Sequence, residues 1–147
     1  MNDMEAVGFE IKRMDNLLKR RIDVMVKKKG IDEITMMHSF IIHYIYDNRD
    51  RDIFQKDIEK VFHMNRSTIT NMVKYLEDQG YITRRQVPSD ARLKKLGLTE
   101  QGERLHQIIG EAIRETERKM QNALTPQETE QFIRLSHKIR SQLEVME

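Results

Sequence analysis

Between Gly80 and Thr99 the spacing of apolar residues changes, and that change restricts the fold more than any other feature of the chain. On either side, apolar residues recur at steps of three and four, the period of an amphipathic helix. Within it, "YITRRQV" and "KLGLT" nearly alternate around the turn cluster Pro88, Ser89, Asp90 and Ala91, which predicts a hairpin. A two-stranded ribbon is marginally stable by itself. It therefore has to grow out of a helical domain that holds its base.

The helices can be placed from their stripes and caps. Val7, Ile11, Met14, Leu18, Ile22 and Met25 predict a first helix, stopped at Gly30 after a lysine-rich turn that suits the negative end of the dipole. Thr35 is the expected N-cap of a second, with Met37, Phe40, Ile41, Tyr44 and Ile45 inward, and Asp47 to Asp52 form a charged loop. A short helix, "FQKDIEKVF", presents Ile58, Val61 and Phe62. Asn65 caps the next, whose Ile69, Met72, Val73 and Leu76 stand at i, i+3, i+4 and i+7, and Gly80 ends it. After the hairpin, Thr99 caps a long helix with Leu105, Ile108, Ile109, Ala112, Ile113 and Met120 inward, although Gly102 stands where a capping-box Glu would help. Thr125, Pro126 and Glu128 supply the N-cap, N1 and capping box of a last helix striped by Phe132, Leu135, Ile139 and Leu143. No repeat or Pro/Gly/Ser linker divides the 147 residues, so a single domain, 1–147, is expected.

Composition removes several classes of function. No apolar run approaches the roughly 18 residues of a membrane span, so no membrane partner is expected. The N-terminus has early acids and no continuous apolar core, unlike a signal peptide. With no cysteine there is no disulfide, thiolate chemistry or Cys-ligated zinc, which fits a cytoplasmic protein. No nucleophile–base pair or Gly-rich phosphate loop supports an enzyme. The five histidines, His38, His43, His63, His106 and His137, form no H-x-x-x-H pair, so neither a metal nor another cofactor is expected.

Net charge is only +2, but its distribution is uneven. From Arg66 to Lys95 seven basic residues face three acidic ones. Two helices joined by a tight turn, "QKDIEKVFHMNRSTITNMVKYLEDQG", describe a helix-turn-helix. The second carries Arg66, Ser67, Thr68, Thr70, Asn71 and Lys74 around its N-terminus, short polar groups able to reach base edges and phosphates in a major groove. Ser and Thr weaken a helix, so their concentration here points to a use; a plain polar surface is the alternative. Arg84, Arg85, Lys94 and Lys95 add charge on the hairpin. Arg92 at its tip has the shape and charge for a narrow minor groove, and Asp90 can cap the turn toward the Arg92 amide.

Helix-turn-helix followed by a basic hairpin is a winged helix, and the chain resembles the MarR family of bacterial regulators over essentially its whole length. "FQKDIEKVFHMNRSTITNMVKYLEDQGYITRR" is similar to that family's helix-turn-helix pattern, and "DARLKKLGLTEQG" to its wing, D-x-R followed by L-T-x-x-G. Phe54 departs from the usual Thr, which leaves Asp52 as a substitute cap. The resemblance implies a mainly α fold with a small β-hairpin wing. A winged helix-turn-helix core, 35–98, would be flanked by long dimerisation helices in 1–34 and 99–147. It implies a homodimeric repressor of an inverted repeat in double-stranded DNA, with Arg92 in the minor groove and Asp90 orienting it. A small-molecule effector is common in the family, and Met37, Phe40, His43 and Tyr44 are the candidates to line its pocket; each is equally a core residue by its spacing. The alternative function is a winged-helix protein-interaction module without DNA binding, which would have no reason to keep its charge at Arg66, Lys74, Arg92, Lys94 and Lys95.

Overall fold

Nine elements follow one another in the computed structural model, which describes residues 5–31 and 33–146; positions 1–4, 32 and 147 at the ends of the expected flanking segments lie outside it. They are α1 (Val7–Lys27), α2 (Met36–Asp47), β1 (Ile53–Phe54), α3 (Gln55–Phe62), α4 (Arg66–Asp78), β2 (Ile82–Val87), β3 (Asp90–Leu98), α5 (Glu100–Asn122) and α6 (Pro126–Glu144). Two compact units arise, one through Ala112 and one from Ile113 onward.

Local chemistry accounts for the boundaries. Gly30, at φ +82°, takes the left-handed turn after α1. Thr35 accepts the His38 N–H, and His38 Nδ1 accepts the Thr35 N–H in return, so a histidine fills the place of the usual Glu in a capping box. Burial of the ring lowers the His38 pKa, which keeps that nitrogen free to accept. Asn65 Oδ1 accepts from the Thr68 N–H at 2.9 Å to start α4, and Gly80, at φ +80°, ends it. Thr125 and Glu128 close a full capping box on α6. Thr99 accepts the Gly102 N–H at 3.0 Å and donates its hydroxyl to the Gly80 carbonyl at 2.6 Å, tying the start of α5 to the end of α4. Gly102, which looked like a missing Glu, is required: a Cβ there would collide with the Tyr81 carbonyl oxygen.

The core of the first unit joins Ile41, Ile42 and Ile45 of α2 to Ile58, Ile69, Val73, Leu76, Ile82, Leu96 and Leu105, all at most 2% exposed. Each such side chain contributes about 1.5–3 kcal/mol by leaving water. The expected stripes are only partly buried. Phe40 is 41% exposed, because α2 is apolar on more than one side and Ile42 takes the inward place, and Val61 of α3 is 48% exposed. On α1 only Ile22 and Val26 are buried, while Val7, Ile11 and Met14 stand exposed. Ile113 and Met120 of α5 are also exposed, and α6 buries no residue.

The sheet is antiparallel, in the order β1-β3-β2. Its third strand was not expected. Ile53 and Phe54 pair with Leu96 and Lys95, so Phe54 belongs to β1 and α3 begins at Gln55. Asp52 does not cap that helix; it forms an ion pair with Lys95 at 2.7 Å. Asp57 instead accepts the Phe54 N–H at 2.9 Å. The return strand of the hairpin starts at Asp90, opposite Val87, rather than at Lys95, which leaves Pro88 and Ser89 as the tip.

Candidate nucleic-acid interface

Helix α4 buries Ile69, Val73 and Leu76, which fixes its rotation and turns Arg66, Ser67, Asn71 and Lys74 outward. Hydrophobic anchors at the base of the wing, Ile82 opposite Leu98 and Leu96 opposite Arg84, hold β2 and β3 to the same core. Arg92 lies on β3 beside the Pro88–Ser89 tip rather than at the tip itself, and Asp90 Oδ1 accepts its N–H at 2.9 Å, the bond expected from the sequence. Asp90 therefore shapes the backbone that carries Arg92, with the guanidinium left exposed.

Between α3, α4 and the wing lies a concave space of about 420 Å³. It brings together Arg66 and Thr70 of the helix with Arg84, Arg92 and Lys94 of the hairpin. Gln55, Lys56 and Glu59 of α3 also line it. The sequence does not mark these three for the site, because α3 is recognised there by its apolar face; the signal that could find them is the polar face of the first helix of a helix-turn-helix. The remaining candidates, Ser67, Thr68, Asn71, Lys74, Arg85, Asp90 and Lys95, lie outside that concavity.

Three of the proposed contacts are committed within the protein. Arg84 grips Glu77 through two parallel bonds, Nε to Oε2 at 3.1 Å and Nη2 to Oε1 at 3.0 Å. The hydrogen bonds from Arg84, then its charge and that of Lys94, outweigh desolvation and lower the Glu77 pKa, and the bonds to Glu77 raise that of Arg84. Such a fork is rigid as well as charged, so Arg84 braces β2 against α4 rather than offering a free cation. Ser67 donates its hydroxyl to Asn65 Oδ1 at 2.8 Å, within the cap. Lys95 is held by Asp52 as above.

Of the four effector candidates, two meet the same ring and His43 lies apart from them. Phe40 stacks on Phe62 at 6.2 Å and Tyr44 meets the same ring edge-on at 6.1 Å. The Tyr44 hydroxyl accepts from Arg51 at 2.8 Å, and Met37 is half-buried. His43 turns elsewhere, its Nδ1 lying 3.2 Å from His106 Nε2 and its Nε2 3.2 Å from Asp47. Among the described residues no group of three or more potential ligands could hold a metal ion.

A helix-turn-helix whose second helix lies beside a basic hairpin defines the winged-helix class. Residues 33–93 match the MarR family model. Solved structures extend the likeness along the chain. The S. aureus MepR–DNA complex is 24% identical with a TM-score of 0.84, covering 94% of this chain and 98% of that one. S. aureus MepR, a transcription regulator of the multidrug efflux pump MepA, is 25% identical with a TM-score of 0.72 over 94% and 98%. The PcaV transcriptional regulator from Streptomyces coelicolor, in complex with its natural ligand, is 21% identical with a TM-score of 0.78 over 96% of each chain.

Proposed function

We propose that this chain is a sequence-specific DNA-binding transcriptional regulator, acting as a homodimeric repressor in the cytoplasm. The observation that carries the reading is the concavity where Arg66 and Thr70 of α4 meet Arg92 and Lys94 of the wing. In it α4 enters the major groove, with Asn71 and Lys74 alongside, and Arg92 reaches the minor groove. The DNA-bound state of MepR supports the assignment. Residues 35–98 form the DNA-binding lobe of the one domain. The exposed apolar residues of α1 and α6, in 1–34 and 99–147, are covered by a second copy of the chain. No helix of the described residues is long and apolar enough to cross a membrane. A small organic molecule releases the repressor, a reading that the ligand-bound state of PcaV supports.

Selection of bound sequences from a randomised duplex library tests the reading. An inverted repeat should emerge, and its affinity should fall steeply with salt as phosphate counterions are released. Enrichment of no sequence, or binding indifferent to salt, would overturn it.

A further inference from the structure

Gln55 is the first residue of α3 and lies half-buried beneath the recognition helix. Its Nε2 donates to Thr70 Oγ1 at 2.7 Å and to Glu59 Oε1 at 3.0 Å. Glu59 settles which end of the amide faces inward. An ionised carboxylate only accepts, so the amide oxygen would be repelled there and the nitrogen must take that side. Thr70 oxygen is then necessarily an acceptor toward Gln55, and its own proton is left over. Among the described residues no acceptor takes that proton, and Thr70 lines the concavity under the wing.

We propose that Gln55 is a positioning residue that fixes Thr70 as a hydrogen-bond donor, so that α4 selects a base presenting an acceptor in the major groove. The inference rests on the DNA-binding reading above. Guanine N7 and O6, adenine N7 and thymine O4 satisfy a donor; the amino groups of cytosine and adenine do not. Glu59 holds the Gln55 amide in place, so the specificity originates one helix away from the one that reads the bases. Without Gln55, the Thr70 hydroxyl can rotate to accept as well as donate, and the preference relaxes.

The test is library selection with the full-length wild type and variants, followed by affinity measurements at each operator position. One half-site position should show a preference for acceptor bases of about five- to tenfold, the scale of one hydrogen bond. Thr70→Val should erase it and Thr70→Ser should keep it. Gln55→Leu should reduce it to about twofold at that position alone, with the salt dependence unchanged because no charge is lost. Gln55→Met repeats the test should the leucine variant melt early. A uniform loss across all sequences, as a phosphate contact or a purely structural role would give, overturns the proposal. So does an unchanged preference in Gln55→Leu and Gln55→Met. If the wild type enriches no sequence, the DNA reading itself fails, an outcome distinct from either.

Discussion

Helices α4 and α6 start from equivalent local signals and end in different environments. Both begin at a polar N-cap, Asn65 and Thr125, and both carry an apolar stripe. Helix α6 has the better start, with Pro126 at N1 and a complete capping box. Yet Ile69, Val73 and Leu76 of α4 are fully buried, whereas Phe132, Leu135 and Leu143 of α6 are 50%, 43% and 57% exposed. Caps and periodicity decide that a helix forms and which face is apolar. They say nothing about whether the surface that covers that face lies in the same chain.

The sharpest way to break this comparison is to truncate one residue from each stripe. Leu76→Ala should lower the unfolding free energy by about 2–5 kcal/mol in urea titrations. Leu135→Ala, measured at concentrations where the chain is monomeric, should stay within about 0.5 kcal/mol. Equal losses would mean that α6 is covered by its own chain. At higher concentration the pairing of Phe132→Asp with Leu135→Asp should move the sedimentation of the chain from the proposed dimer to monomer while the α4 lobe still folds.

A second test concerns what anchors the well-packed region. Gly102→Ala should cost about 1–3 kcal/mol by pushing α5 off the Tyr81 carbonyl; an unchanged melting temperature would show that the contact relaxes freely. At the functional end of the same lobe, Arg92→Ala should weaken DNA binding about tenfold, as loss of a favourable groove contact does, with melting unaltered. Full affinity in that variant would remove the wing from the interface.

The smallest effect belongs to the Glu77–Arg84 fork, a partly exposed pair contributing about 1 kcal/mol or less. Glu77 is held below its ordinary value of 4.5 in the fold, so its contribution is complete above that pH. It is lost as pH falls through the lowered folded value, where the unfolded chain already binds the proton. The melting difference between wild type and Glu77→Gln should therefore be largest near neutrality and shrink as the pH falls below that ordinary value. A difference independent of pH would reassign the effect to packing.

Much of the candidate interface was legible because its determinants are local. The Asn65 cap lies three residues from its target, and the Asp90 bond to the Arg92 amide spans two. Strand β1 was not legible, since two residues, Ile53 and Phe54, become a strand only by pairing with Leu96 and Lys95 more than forty positions away. Phe40 and Ile42 could not be ranked either: "MMHSFIIHYIY" is apolar nearly all round, so period alone does not select its inward face. Arg84 read as a free cation because its partner, Glu77, sits across a turn on another element.

By itself the sequence determined the longer helices, the caps at Thr35, Asn65 and Thr125, and a hairpin that carries Arg92, all consequences of backbone and side-chain chemistry within a few residues. Only the tertiary structure decided which cations remain free, why Gly102 has no side chain, and that Gln55 reaches Thr70. Those outcomes depend on distances between elements far apart in the chain, and neither periodicity nor capping specifies them.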